Sequence, residues 1–246
     1  DAALLLQAIS GPHPEDPQQL LRSKPPNFSA GIGENLRGLR VGFSSDLGYG
    51  AVDPQVLEQV ISGLSTFEKL GANVEESEII LESDLADSFW KIFGANAYVQ
   101  YGHLLTDGAG LLTEGVEEVL SRGREITGHE YATALRKVAD LRMKIDVLFE
   151  RFDIFVTPTT SVTAFEPGKR PSEVAGMKVD SAYGIFPFTY IFNMTGHPAA
   201  SVPCGFVDGL PVGMQIAGRL GDERMLLRAS AAFEEARPWR NVRPSQ

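Results

Sequence analysis

The chain has 246 residues, and 43% of them are hydrophobic, which is enough to bury one sizeable core. Its 22 basic residues against 32 acidic ones give a net charge of -10, so nucleic acid and anionic membrane surfaces are disfavoured as partners. The sequence has no signal-peptide pattern, and no apolar run approaches the roughly 20 residues that cross a bilayer, so we expect a cytoplasmic protein.

The first element that the sequence predicts is a short helix. The chain opens at Asp1 and passes straight into an apolar run at residues 2–6, and Ser10, Gly11 and Pro12 end the helix. Because no helix start precedes the apolar run, we interpret it as the end of a helix that begins upstream, and we expect a truncated chain. A polar, Pro-rich connector follows over residues 13–38.

A strand, a helix and a second strand come next. Residues 39–43 alternate like a short strand, Asp53 and Pro54 open a helix, and Gly71 ends it before a strand at residues 73–77. Strand, helix and strand in this order predict a βαβ unit, in which the two strands are parallel.

Helices and strands continue to alternate along the rest of the chain. The pattern predicts helices at residues 85–101 and 113–120, from a capping box at Thr127 and Glu130 to residue 149, and from Asp222 to residue 236. It predicts strands at residues 153–157, 200–203 and 211–217, and a polar loop at residues 168–180. These elements predict an α/β fold in one domain over residues 1–246, with a mixed, largely parallel sheet and helices on both faces.

The residue types that carry most enzyme chemistry form no recognisable pattern. The four histidines have no metal-ligand spacing, and the glycines of residues 42–50 fit neither phosphate-binding motif. The single cysteine, Cys204, is expected to be buried. His197, just ahead of Pro198, is interpreted as an ordinary loop residue. We therefore assign no catalytic residue and expect neither a metal nor an organic cofactor.

A Thr-rich turn follows the buried strand at residues 153–157. Pro158, Thr159 and Thr160 lie where ligands bind in open α/β sheets, beyond the carboxyl end of a strand. Their hydroxyl and backbone groups would suit the rim of a substrate pocket. The alternative, an ordinary turn that ends a strand, is equally compatible with the residues.

An aromatic segment stands at residues 186–192. Phe186, Phe188 and Phe192 come with Pro187, a composition that suits neither a plain helix nor a plain strand. We predict a bend near Pro187, with at least one ring facing a substrate pocket. The alternative is a corner of the core, because aromatic side chains are usually buried there.

These two segments, with the residues that follow them, resemble the amidase-signature family. The resemblance rests on residues 157–159, on FNMTGHPAASVPCG at residues 192–205 and on LPVGMQIAG at residues 210–218. It extends over nearly the whole chain. The resemblance implies an α/β amidase that hydrolyses a carboxamide, an aryl or aliphatic amide, through an acyl-enzyme.

The family's catalytic residues are a serine nucleophile, a second serine in a cis peptide and a lysine base. In the family all three lie upstream of the point that matches Asp1, and this chain has no Gly/Ser-rich region of that kind. We therefore expect this chain alone to be inactive and to supply sheet strands and pocket wall, with Pro158, Thr159, Thr160 and the three phenylalanines in contact with substrate.

Two alternatives to a hydrolytic amidase stay open, a fragment of a transamidase and a non-catalytic remnant. Transamidating members carry an acidic residue at the position that aligns with Phe186, so the apolar ring here favours a general amidase. The expected partners are a small-molecule amide and the N-terminal half of the same enzyme or a second copy. Strands at residues 154–156 and 214–216 have the composition of central strands, so without that partner we expect exposed apolar surface beside Asp1 and residues 157–160.

Overall fold

The computed structural model describes residues 1–16, 24–108, 110–179, 184–239 and 242. Its helices are α1 (Ala2–Ile9), α2 (Pro54–Lys69), α3 (Leu85–Tyr101), α4 (Leu104–Asp107), α5 (Glu114–Arg124), α6 (Gly128–Arg151), α7 (Thr189–Thr195) and α8 (Glu223–Ala236). Its strands are β1 (Arg40–Phe43), β2 (Asn73–Glu76), β3 (Ile154–Pro158), β4 (Glu173–Val174), β5 (Met177–Lys178), β6 (Ala199–Val207) and β7 (Leu210–Gly218). Part of the predicted Pro-rich connector, residues 17–23, and the end of the predicted polar loop, Asp180, lie outside the described residues.

Five strands form the main sheet, in the order β2-β1-β3-β7-β6. β1 pairs in parallel with β2 and with β3, whereas β7 pairs antiparallel with β3 and with β6. The mixed α/β sheet is therefore confirmed, with two parallel and two antiparallel pairings. The antiparallel side begins at the β6–β7 hairpin, whose turn places Asp208 at φ 51° and Gly209 at φ 78°.

Helices cover both faces of this sheet. On one face α2 and α8 pack on Ile154 and Val156 of β3, with Phe67 and Phe233 fully buried. On the other face α6 and α7 pack on Phe155 of the same strand. All five residues of β3 are buried, as expected for a central strand with helices on both sides.

Local signals explain the βαβ unit. The Asp53 carboxylate caps α2 by accepting a hydrogen bond from the backbone N–H of Gln55 at 2.8 Å, and Pro54 occupies the first turn. Gly42 lets β1 lie directly against an aromatic cluster, because a Cβ there would be 2.5 Å from Cδ2 of Phe152. β1 and β2 pair in parallel, as the order of the elements predicts.

The aromatic segment is where the sequence prediction of secondary structure was wrong. Residues 189–195 form a helix, α7, which ends at Gly196 with φ 78°. Its Tyr190, Ile191, Phe192 and Thr195 are buried, and a helix of seven residues is too short for its sequence to reveal a helical period. The predicted polar loop contains the short β4–β5 hairpin. Among the described residues, no helix is both long enough and apolar enough to cross a membrane.

Candidate functional site

A row of polar side chains crosses the sheet where β3 ends. Thr157 of β3 lies opposite Gln215 of β7, which lies opposite Ser201 of β6. Thr159 continues from β3, and its backbone N–H donates to the carbonyl of Gly213 at 3.0 Å. We call Thr157, Thr159, Ser201 and Gln215 the polar row.

Gln215 fixes the buried end of the polar row. Its Nε2 donates to Oγ1 of Thr157 at 3.0 Å and to the carbonyl oxygen of Phe188 at 3.1 Å. Gln215 is only 4% exposed and Thr157 only 1% exposed, so both hydrogen bonds are shielded from water. One amide group therefore sets the position of the start of α7 relative to the sheet.

The other end of the row is open. The hydroxyl oxygens of Thr159 and Ser201 lie 2.7 Å apart, Ser201 is exposed and Thr159 is half-buried. Gly213 lies beside them, and a Cβ at that position would be 2.8 Å from each hydroxyl oxygen. The absence of a side chain keeps this pair reachable, and two hydroxyls offer both donor and acceptor capacity to a ligand or a docked chain.

The other two turn residues of the predicted pocket rim occupy less open positions. Pro158 is buried in the last position of β3. Thr160 is half-buried, and its hydroxyl donates to the carbonyl of Val162 at 2.8 Å, a bond within the turn itself. Of the three residues, Thr159 has its hydroxyl in the polar row, and contact between substrate and any of them stays a prediction.

The three phenylalanines do not share one environment. Phe188 and Phe192 are 0% and 3% exposed and belong to the core between the sheet and α6, which matches the alternative interpretation of this segment as a corner of the core. Phe186 is half-buried against a separate small cluster, with the Arg170 guanidinium 6.0 Å from its ring centre. Their contact with a substrate stays a prediction.

A second constellation joins Asp146, His197 and Thr195. His197 Nε2 lies 3.1 Å from Oδ1 of Asp146, and its Nδ1 lies 3.0 Å from Oγ1 of Thr195. The chain of groups is that of a hydrolytic triad, but Thr195 is 2% exposed and its hydroxyl lies 3.0 Å from the carbonyl of Ile191 as well. A substrate cannot reach this hydroxyl. His197 does lie in a loop, as the sequence suggests, but it is buried, whereas its neighbour Gly196 is exposed.

An apolar groove of about 770 Å³ lies between α3, α5, α6 and α7. α3 contributes Phe89, Phe93 and Ala97 to it, and α7 contributes Asn193 and Met194. None of its lining residues carries a charge. Sequence reasoning missed this groove, because spacing alone does not distinguish a packed helix face from a groove wall.

Comparison with known proteins identifies the family. The family model described as Amidase matches residues 1–227. This chain belongs to the amidase family. The chain is 31% identical over 249 residues to an acylamidase of Rhodococcus erythropolis, covering all of this chain and 52% of that protein. It is also 31% identical over 269 residues to a subunit of the glutamyl-tRNA(Gln) amidotransferase of Geobacillus stearothermophilus, covering 99% of this chain and 54% of that protein.

The comparison with solved structures finds the same family, and the match again covers about half of each solved chain. A bacterial aryl acylamidase of the amidase-signature family superposes with a TM-score of 0.87 at 26% identity, covering 99% of the amidase chain and 54% of that chain. The 6-aminohexanoate cyclic dimer hydrolase superposes with a TM-score of 0.74 at 27% identity, covering 96% and 53%. The amidase chain thus spans about half the length of the relatives it matches.

Proposed function

We propose that this chain is the C-terminal part of a single amidase domain that hydrolyses an aryl or aliphatic carboxamide to an acid and an amine or ammonia. The observation that carries the proposal is the amidase-family match over residues 1–227, together with relatives named as acylamidases. The reaction is proposed to proceed through a serine acyl-enzyme, with the serine pair and the lysine supplied by the N-terminal half.

The role proposed for this chain is to form part of the substrate site rather than to perform the bond-breaking step. Gln215 fixes α7 against the sheet, and the open hydroxyls of Thr159 and Ser201 face away from the core. Such a pair suits the recognition of an amide, because the two hydroxyls can both donate and accept hydrogen bonds, and an amide has an N–H donor and a carbonyl acceptor. The amide would belong either to the substrate or to the polypeptide that brings the nucleophile.

Two features of the surface support the proposal that a partner chain binds here. β6 is an edge strand of the sheet, and an unpaired edge is a template for a further strand. Leu4, Leu5 and Ile9 of α1 are 65%, 63% and 71% exposed, which is unusual for three apolar residues of one short helix. We propose that the N-terminal half of the same enzyme covers both the free edge of β6 and the exposed side chains of α1. A second copy of the chain is the alternative occupant.

Transamidation is the second candidate function, because several relatives are named as glutamyl-tRNA(Gln) amidotransferase subunits. The residue against it is Phe186, a half-buried apolar ring where the sequence alignment expects an acidic side chain in transamidating members. A non-catalytic remnant is the third. Hydrolysis of simple amides without any tRNA would favour the amidase over both.

The decisive experiment compares the 246-residue chain alone with the chain produced together with an upstream amidase half. We expect no turnover of an anilide substrate by the chain alone, and turnover when both halves are present. Turnover of about 1 per second or more by the chain alone would contradict the proposed division of roles. No turnover with both halves present would favour the remnant.

Cell fractionation would test the proposed cytoplasmic location.

A further inference from the structure

His197 is buried where three elements meet. It follows the C-terminal end of α7, precedes β6 and packs against α6, and its side chain is 0% exposed. The imidazole stacks on Phe149 of α6, with 5.3 Å between ring centres. With Asp146 at 3.1 Å and Thr195 at 3.0 Å, both ring nitrogens have a partner. One side chain therefore attaches the corner between α7 and β6, residues 195–199, to α6.

The direction in which the Thr195 hydroxyl hydrogen points depends on whether the His197 ring carries one hydrogen or two. Its oxygen lies 3.0 Å from the Ile191 carbonyl and 3.0 Å from His197 Nδ1, and its single hydrogen can point to only one of them. When the ring is neutral, Nε2–H donates to the Asp146 carboxylate and Nδ1 accepts from the Thr195 hydroxyl. When the ring is protonated, Nδ1 donates to the Thr195 oxygen, whose hydrogen turns to the Ile191 carbonyl. The protonated ring therefore keeps one hydrogen bond more, from Thr195 to the Ile191 carbonyl, and what opposes protonation is the cost of burying a charged ring whose side chain is 0% exposed.

Burial favours the neutral state. It lowers the pKa of His197 below the ordinary value of 6.5, because the charged ring loses its hydration. The Asp146 carboxylate opposes this shift, but its side chain is 56% exposed and partly screened by water, and Arg142 adds repulsion from the same helix. The other charged side chains that line the small cavity beside the ring are Glu150 and Arg219.

We propose that His197 is a pH-sensitive link, whose neutral form holds the corner between α7 and β6 on α6 and whose protonation weakens that attachment. When the corner detaches, the ring reaches water and regains an ordinary affinity for protons. Below about pH 6.5 the detached form therefore binds a proton that the attached form does not, and attachment weakens as the pH falls. The weakening ends once the attached ring is itself protonated.

A weakened link would affect two features of the site, the apolar groove and the polar row. Asn193 and Met194 of α7 form one wall of the apolar groove. At the other end of α7, the Phe188 carbonyl accepts the hydrogen bond from Gln215. His197 therefore acts on the groove and on the polar row through α7, as a positioning residue without direct contact with substrate.

The first test reads the ring itself by NMR of the protein with isotope-labelled histidine. We expect the neutral ring to carry its hydrogen on Nε2 and to titrate below about pH 6.5. In Asp146→Asn the titration should move to still lower pH, because the opposing carboxylate is gone. A ring that carries its hydrogen on Nδ1, or that titrates at or above the ordinary value in the unaltered protein, would overturn the proposal.

The second test reads the attachment by amide hydrogen exchange, corrected for the intrinsic pH dependence of exchange. We expect protection of residues 192–196, relative to residues 214–217 of β7, to fall as the pH drops from about 7.5 to about 5, by at most about tenfold per pH unit, which is the limit for the uptake of one proton. His197→Gln keeps a donor for Asp146 but cannot be protonated, so its ratio should not change. His129→Gln, at an exposed histidine, is the matched control and should behave like the unaltered protein.

A constant ratio in the unaltered protein, or a changed ratio in His197→Gln, would refute the link. Should His197→Gln fail to fold, the exchange ratio of the unaltered protein and the titration in Asp146→Asn still decide the question. Both readouts are independent of amidase activity.

Discussion

Replacement of Gln215 by leucine tests the physical basis of the polar row. The leucine fills a similar volume but removes the donor to Thr157 Oγ1 at 3.0 Å and to the Phe188 carbonyl at 3.1 Å. Each such bond contributes about 0.5–1.5 kcal/mol, and the acceptors left behind are buried, so we expect a loss of about 1–3 kcal/mol in the free energy of unfolding. Urea denaturation should show a lower midpoint with an unchanged slope.

A double-mutant cycle separates the hydrogen bond from side effects. Thr157→Val removes the acceptor, so in the double variant neither partner is left unsatisfied at this contact. We expect the double variant to lose less stability than the sum of the two single losses. Additivity within about 0.3 kcal/mol would show that these two side chains do not interact. Gln55→Leu is the control at an exposed glutamine of α2, with an expected change within about 0.5 kcal/mol.

Three further predictions concern packing and ionisation. Gly42→Ala would place a Cβ 2.5 Å from a core ring atom and should lower the free energy of unfolding by about 1–3 kcal/mol. Gly115→Ala, whose Cβ would have nothing within 4 Å, should raise it by about 0.5 kcal/mol. Thermal unfolding measures both changes. Burial raises the pKa of the Cys204 thiol from 9.0 to about 11, so ionisation alone should slow its alkylation by about 100-fold relative to the denatured chain. Burial would raise the pKa of Asp153, but hydrogen bonds from Arg40 lower it from 3.8 to about 2. Asp153→Asn should therefore lower the free energy of unfolding by roughly 2 kcal/mol at neutral pH, and this loss should vanish as the pH falls from 3.8 to about 2.

Each of these has a result that would count against it. Equal stability changes for the two glycine variants would mean that the close contact at Gly42 relaxes without cost. Labelling of Cys204 at similar rates in the native and denatured protein would mean that the thiol is open to solvent. The Asp153 carboxylate is a depressed-pKa group, so its contribution is present above the unfolded value and is lost on acidification. A stability difference that persists at about pH 2 would rule out this origin.

Local signals predicted the parts of the fold that depend on neighbours in sequence. The capping box at Thr127 and Glu130 forms as predicted, with the Glu130 carboxylate accepting from the Thr127 N–H at 2.9 Å. The turn at Asp208 and Gly209 gives the β6–β7 hairpin, since both residues take positive φ. Both features are determined by fewer than about five residues, which is the range over which sequence patterns are informative.

The parts that were missed depend on residues far apart in the chain. α7 has only seven residues, four of them buried, which is too few for an amphipathic period to show in the sequence. The contact between His197 and Asp146 spans 51 residues, and the contact between Thr159 and Ser201 spans 42. No pattern within one segment encodes such pairs. The family resemblance pointed to residues 157–159 and 192–205 as important, but it did not show which side chains meet.

The order of strands in the sheet has a consequence for synthesis of the chain. β1 lies between β2 and β3, yet Arg40 of β1 and Asp153, just ahead of β3, are separated by 113 residues. At about 5–20 residues per second, the ribosome needs roughly 6–20 s to make that stretch. Once β2 has been made, the βαβ unit is complete but one side of β1 has no neighbour until β3 emerges, and the residues there, Val41, Gly42 and Phe43, carry no charge to deter a wrong strand. The growing chain is therefore most exposed to mispairing before α6 and β3 emerge.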